Sequence, residues 1–163
     1  MSTLTIDSSA SDAETFLIDL SEAHSDLGGS RTQQDFGISF HGQGWAVVGI
    51  FDGHGSDGHS NVAGEVALSI IQEDGFYAGL LECVETCAES LFAAMQQANF
   101  DLVVRRLQES SIPFEVNDGY INCDHHLRMR GGTTATLVFV DGTGLVTTMN
   151  VGDSDAWMFN STS

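Results

Sequence analysis

The sequence predicts an α+β fold in which antiparallel strands come first, two helices follow, and antiparallel strands return. Apolar and β-branched runs flank glycine-rich turns near Gly42–Gly44 and again at Asp141–Gly144, the pattern of hairpins. Between them the apolar period changes from two to three and four, as helices require. The strict strand–helix alternation of a parallel sheet is missing.

Taken in order, Phe16–Leu20 is a short apolar run suited to a first strand. Phe36–Phe40 alternates apolar with small or polar residues, and HGQG turns the chain into Trp45–Phe51. That second strand is apolar on both faces, so a central, covered place is expected. Val62, Val66 and Ile70, flanked by Ala63, Ala67 and Ile71, then mark one helical face, with Asp57 or Ser60 as N-cap. Leu80, Val84, Cys87, Leu91, Met95, Ala98 and Leu102 mark a longer second helix, ending near Arg105 and Arg106, where cations suit the helix C-terminus. Residues 110–130 lack a pattern beyond an Asn-Asp-Gly turn. TTATLVFV and GLVTTMNV then form a hairpin, and Asp155–Phe159 is expected to be a further strand.

At 163 residues the chain suits one domain with a core and is too short for two. The opening MSTLTIDSSASDAET has neither the basic nor the apolar region of a secretory leader. A disordered lead-in over residues 1–10 and a domain over 11–163 are expected. The formal charge is −18, with no lysine among the five cationic residues. Such a surface repels phosphate-rich partners, so neither nucleic acid nor a membrane is expected to bind. It suits divalent cations, although a surface selected for solubility accounts for it equally well. Cys83, Cys87 and Cys123 lack zinc-ligand spacing and indicate a reducing compartment, the cytoplasm.

The run Phe51-Asp-Gly-His-Gly55 ends the most apolar strand. Asp52 there suits a hard divalent cation, Gly53 lets its carbonyl approach the same ion, and His54 exchanges protons near neutral pH. Asp-Gly and His-Gly are equally ordinary turn chemistry, so the run alone is balanced between turn and site. Asp35, at the start of the preceding strand, would lie beside Asp52 if the strands pair. Asp153 stands after another strand, in NVGDS. Three acids at strand ends in glycine-rich contexts are what an oxygen-ligand metal centre requires.

RTQQD (31–35), VGIFDGHG (48–55), GGTTA (131–135) and NVGDS (150–154), in this order and spacing, resemble the metal-dependent protein serine/threonine phosphatases of the PPM or PP2C type. The resemblance spans roughly residues 11 to 160 and the first portion of that domain. It implies a β-sandwich of antiparallel sheets flanked by helices, incomplete at its C-terminus. It also implies a phosphoprotein substrate, a monomer, and a centre of two Mg2+ or Mn2+ ions whose bridging hydroxide attacks phosphoserine or phosphothreonine. By the same resemblance Asp52 bridges the ions, the Gly53 carbonyl binds one, Asp35 supports bound water and Asp153 serves a weaker additional ion. His54 is the acid for the leaving oxygen and Arg31 holds the phosphate.

Arg31 stands one residue nearer Asp35 than the family's arginine does, and Asp155 replaces the arginine that follows GDS. The later metal-binding aspartates of the family are expected to be missing, which makes a pseudophosphatase-like binding module the alternative. His59 is expected to be a surface histidine. Asp124-His125-His126 receives no site, because three adjacent residues do not readily face one ion. His24 and His41 receive no role.

Overall fold

Alternation of apolar and small residues is realised in a first hairpin of β1 (Asp35–Gly42) and β2 (Trp45–Gly55). The computed structural model describes residues 34–55, 58–123 and 131–157. The helices α1 (His59–Ile71), α2 (Phe76–Glu82) and α3 (Val84–Glu109) follow. Next come the hairpin β3 (Phe114–Asn117) and β4 (Tyr120–Cys123), then β5 (Gly131–Thr133), β6 (Ala135–Asp141) and β7 (Val146–Val151). Helices packed on antiparallel sheets make the fold α+β, as expected.

The main sheet has the order β1-β2-β6-β7, and β5 pairs with the far end of β2. All its pairings are antiparallel. β2 is central, between β1 and β6, as its apolar run predicts. Val47 and Phe51 on β2, Leu137 and Phe139 on β6 and Met149 on β7 are buried in one cluster with Ala63, Ala67 and Ile71 of α1 and Leu91 and Met95 of α3. Each large side chain buried in this way contributes roughly 1.5–3 kcal/mol. The opposite face of β2 is more open: Val48 is half-buried and Ile50 is 47% exposed. At the β6–β7 turn, Asp141 Oδ1 accepts the Thr143 N–H at 2.8 Å, the Thr143 hydroxyl at 2.6 Å and the Leu145 N–H at 3.0 Å.

Several elements differ from expectation, each for a local reason. β2 does not stop at Phe51; it continues through Asp-Gly-His-Gly because Gly53, His54 and Gly55 pair with Thr133, Gly132 and Gly131. The expected long second helix is two helices, broken at Cys83, whose backbone is extended (φ −155, ψ 97). The three- and four-residue spacing continues across the break, so it does not reveal it. α3 also runs past the two arginines to Glu109. α1 is preceded by Gly58 in the left-handed region (φ 86), with no side-chain cap. Ser60 lies inside that helix, and Asp57 is outside the described residues.

The buried stripe of α1 runs through Ser60, Ala63, Gly64, Ala67 and Ile71, with Val62, Val66 and Ile70 at its flanks. Small residues lead because the helix lies close on the sheet: a Cβ on Gly64 would stand 2.2 Å from the Phe36 ring. Residues 154–157 are not strand. The Ser154 carbonyl instead accepts the Thr136 hydroxyl at 2.8 Å and the Asn150 side-chain amide. The expected Asn-Asp-Gly turn is present at Asp118 (φ 50) and Gly119 (φ 79), and it joins two short strands, β3 and β4, that the sequence pattern does not mark. Phe16–Leu20, Arg31, His24 and Asp124–His126 lie outside the described residues.

Candidate metal centre

Antiparallel register puts Asp35 directly opposite Asp52. Opposed residues of a pair share one face of a sheet, and so do residues two apart along a strand. Asp35, Asp52 and His54 therefore stand together on the open face, while Gly53 turns inward toward α1. Burial, then the Asp52 charge and a hydrogen bond with Asp52, push the Asp35 carboxyl above its usual range. A hydrogen bond with the Gly53 backbone pulls weakly the other way. Two carboxylates this close repel each other unless a proton or a cation is shared between them.

The inward face holds the pair in place. The Gly53 N–H donates to the Gln34 carbonyl at 3.0 Å. The Ser60 hydroxyl on α1 donates to that same carbonyl, and the Gln34 side-chain amide donates to the Gly55 carbonyl at 3.1 Å. A Cβ on Gly53 would lie 2.3 Å from the Gln34 carbonyl oxygen and 3.0 Å from Ser60 Oγ. Only glycine fits there.

From the other side comes the GGTTA run. The Thr134 N–H donates to the Asp52 carbonyl at 2.9 Å, and the Asp52 N–H donates to Thr134 Oγ1 at 3.2 Å. The Thr133 hydroxyl also reaches the Asp52 carbonyl, at 3.1 Å. Thr134 Oγ1 meets Ser154 Oγ at 2.6 Å, which ties NVGDS to the same backbone. Four separated stretches (Gln34–Asp35, Asp52–His54, Thr133–Thr134 and Ser154) thus meet at Asp52. Gln34, Thr134 and Ser154 received no role from the sequence although all three stand inside the motif runs, and Ser60 is expected there only as a helix N-cap.

The carboxylates of Asp35 and Asp52 with neighbouring backbone oxygen form a donor set that suits a hard divalent cation. Among the described residues no three His, Cys, Asp or Glu side chains gather as a metal-holding group. Asp153 is therefore not collected with the pair, although its neighbour Ser154 is bonded to Thr134. His54 is exposed, its ring lying over Gly132, where a Cβ would stand 3.1 Å from it. Arg31 is outside the described residues.

The family model described as Protein phosphatase 2C matches residues 6–163. The chain belongs to the protein phosphatase 2C family. No curated protein and no solved structure matches it. Within this protein phosphatase 2C chain, stretches from all four motif runs meet around Asp52, with Ser154 joined through Thr134.

His59 departs from expectation, being 1% exposed rather than on the surface. Its Nδ1 lies 2.8 Å from Asn99 Oδ1 on α3, and the Asn99 amide donates to the Met95 carbonyl at 3.1 Å. With Asn99 oriented by that bond, Nδ1–H is the donor to Oδ1. A Cβ on Gly131 would lie 2.5 Å from His59 Nε2. The two glycines of β5 thus let His59 pack beneath the strand and His54 lie above it.

Burial lowers the His59 pKa from its ordinary 6.5, the Asn99 hydrogen bond opposes this, and the Arg106 and His54 charges lower it further. Stability from neutral His59 is therefore complete above about pH 6.5 and is lost as pH falls through the lower folded-state value. Urea unfolding at pH 7.5 and 5.5 is expected to show this acid loss. His59→Gln is expected to cost about 2 kcal/mol at pH 7.5, through lost packing and a poorly met Asn99, and to flatten the acid loss. An unchanged acid slope in His59→Gln would contradict the assignment.

Proposed function

We propose that this chain carries the amino-terminal metal-binding part of a metal-dependent protein serine/threonine phosphatase, acting on phosphoserine or phosphothreonine in proteins. The observation that supports it most is the pairing of Asp35 with Asp52 on the face that also presents His54, in a chain of the protein phosphatase 2C family. Asp35, Asp52 and the Gly53 carbonyl are the groups that would hold Mg2+ or Mn2+. Asp153 would serve a further, weaker ion. When bound, such ions lower the pKa of water and neutralise phosphate charge in an in-line displacement.

The chain's own residues divide the remaining work. Arg31 binds the phosphate of the substrate through its guanidinium. His54 holds a proton on its imidazole for the departing serine or threonine oxygen. Gln34, Ser60 and Thr134 fix the backbone on both sides of Asp52, so the carboxylate is set before substrate arrives. The open face of the main sheet would form one inner wall of the β-sandwich.

The test is phosphate release from a phosphothreonine peptide with Mn2+ present and after chelation with EDTA, alongside thermal unfolding with and without the ion. Release that depends on Mn2+, with a raised melting temperature, is expected. A raised melting temperature without release would mark a non-catalytic binding domain that retains the metal centre. Neither effect would sink the reading for this chain.

A further inference from the structure

Cys83 is the extended residue immediately before α3, and it is exposed. Cys87 lies one turn later, half-buried, with its N–H donating to the Cys83 carbonyl at 3.2 Å. Helical side chains lean toward the N-terminus, so the Cys87 thiol reaches back over the first turn toward Cys83. Cys83 Sγ is itself folded over that turn, 3.2 Å from Thr86 Oγ1. Residues four apart on a helix hold their Cβ atoms about 5–6 Å apart, more than the roughly 3.5–4.5 Å of a disulfide, so closure draws on a shift at Cys83, whose extended backbone lies outside the helix. On α2, Gly79 leaves space beside this pair, since a Cβ there would be in ordinary contact with Cys87 Sγ at 3.5 Å.

We infer that Cys83 and Cys87 form a peroxide-sensitive dithiol that closes into a disulfide across the first turn of α3. Their surroundings suit different parts in the reaction. The Thr86 hydroxyl and then the Thr86 backbone, with a lesser part from the Glu85 backbone, hold the Cys83 thiol below its ordinary pKa against desolvation and the Glu85 charge. Burial, then the Cys83 and Glu82 charges, push the Cys87 thiol up. Cys83 is therefore the attacking thiolate and Cys87 the resolving thiol.

The Cys83 thiolate attacks one oxygen of hydrogen peroxide, the O–O bond breaks, and hydroxide leaves. The sulfenic acid at Cys83 is then attacked by the Cys87 sulfur, which forms the S–S bond and releases the oxygen as water. Two thiols and one peroxide thus give one disulfide and two waters, with sulfur oxidised and peroxide reduced. The inference is independent of the phosphatase reading. Cys123 ends β4, on a different element from the pair, and takes no part in the inferred closure.

The folded chain is treated with hydrogen peroxide, its remaining thiols are alkylated, and the products are mapped by mass spectrometry. The expected product has lost two hydrogen atoms, links Cys83 to Cys87, keeps Cys123 alkylated, and reverts with dithiothreitol. In Cys87→Ser, dimedone is expected to label Cys83; in Cys83→Ser, no intramolecular disulfide forms. A disulfide between two chains, labelling mainly at Cys123, or no faster closure than in urea-unfolded chain would each overturn the inference.

Discussion

Gly53→Ala is expected to lower the unfolding free energy by about 3 kcal/mol. The added methyl would stand 2.3 Å from the Gln34 carbonyl oxygen, a backbone atom held by both the Gly53 N–H and the Ser60 hydroxyl. A flexible side chain could swing aside, but β1 or α1 has to shift bodily. Either shift disturbs the register that sets Asp35 against Asp52. Gly142→Ala is the comparison, because a Cβ there would meet the Gly44 carbonyl at an ordinary 3.5 Å. It is expected to change stability by less than about 0.5 kcal/mol. Urea unfolding of both variants checks the difference, and equal stabilities would refute this account of Gly53.

Asp52→Asn is expected to reduce metal-dependent phosphate release by more than the ~10–100-fold typical of changes behind a metal ligand, and to abolish the Mn2+-induced rise in melting temperature. Its effect without metal should have the opposite sign. Asp52 contributes to the raised pKa of Asp35 through both its charge and its hydrogen bond. The asparagine variant removes that repulsion, so metal-free stability at neutral pH is expected to be equal or slightly higher, and the Asp35 carboxyl should move back toward its ordinary value. Carboxyl carbon NMR through a pH titration follows Asp35 directly. A variant that lost stability without metal yet kept its Mn2+ response would show that Asp52 is a structural residue.

The parts of this arrangement that depend on local pattern are legible in the sequence. The alternation of Phe36, Ile38 and Phe40, the turn before Trp45 and the Asp141 turn specify two hairpins, and the first brings Asp35 to Asp52. What was hidden depends on partners far away in the chain. Asp-Gly-His-Gly carries no strand pattern, and its strand character comes from β5, itself little more than two glycines and a threonine. His59 resembles a surface histidine until Asn99 and Gly131 are placed around it. The break at Cys83 leaves the apolar spacing intact, and Phe-Glu-Val-Asn of β3 alternates over only four residues, too few to mark a strand. The motif resemblance recovered what periodicity could not, because it marks Thr133, Thr134 and Ser154 without explaining their contacts.

β2 is shared between near and distant partners, and this divides the history of the centre. The two acids belong to one short hairpin, whose closure costs little chain entropy. The clasp on Asp52 from Thr133 and Thr134 spans separations of 81 and 82 residues, and so must wait for the helical segment to be in place. The acids that repel each other are thus brought together by contacts within one hairpin and secured by contacts of long sequence separation. If the hairpin closes first, as its shorter loop favours, there is an interval in which the two carboxylates share one strand pair before β5 and β6 hold them. A divalent ion present during that interval would bind the hairpin before the sheet is finished, and would act on the order of assembly as well as on the finished site.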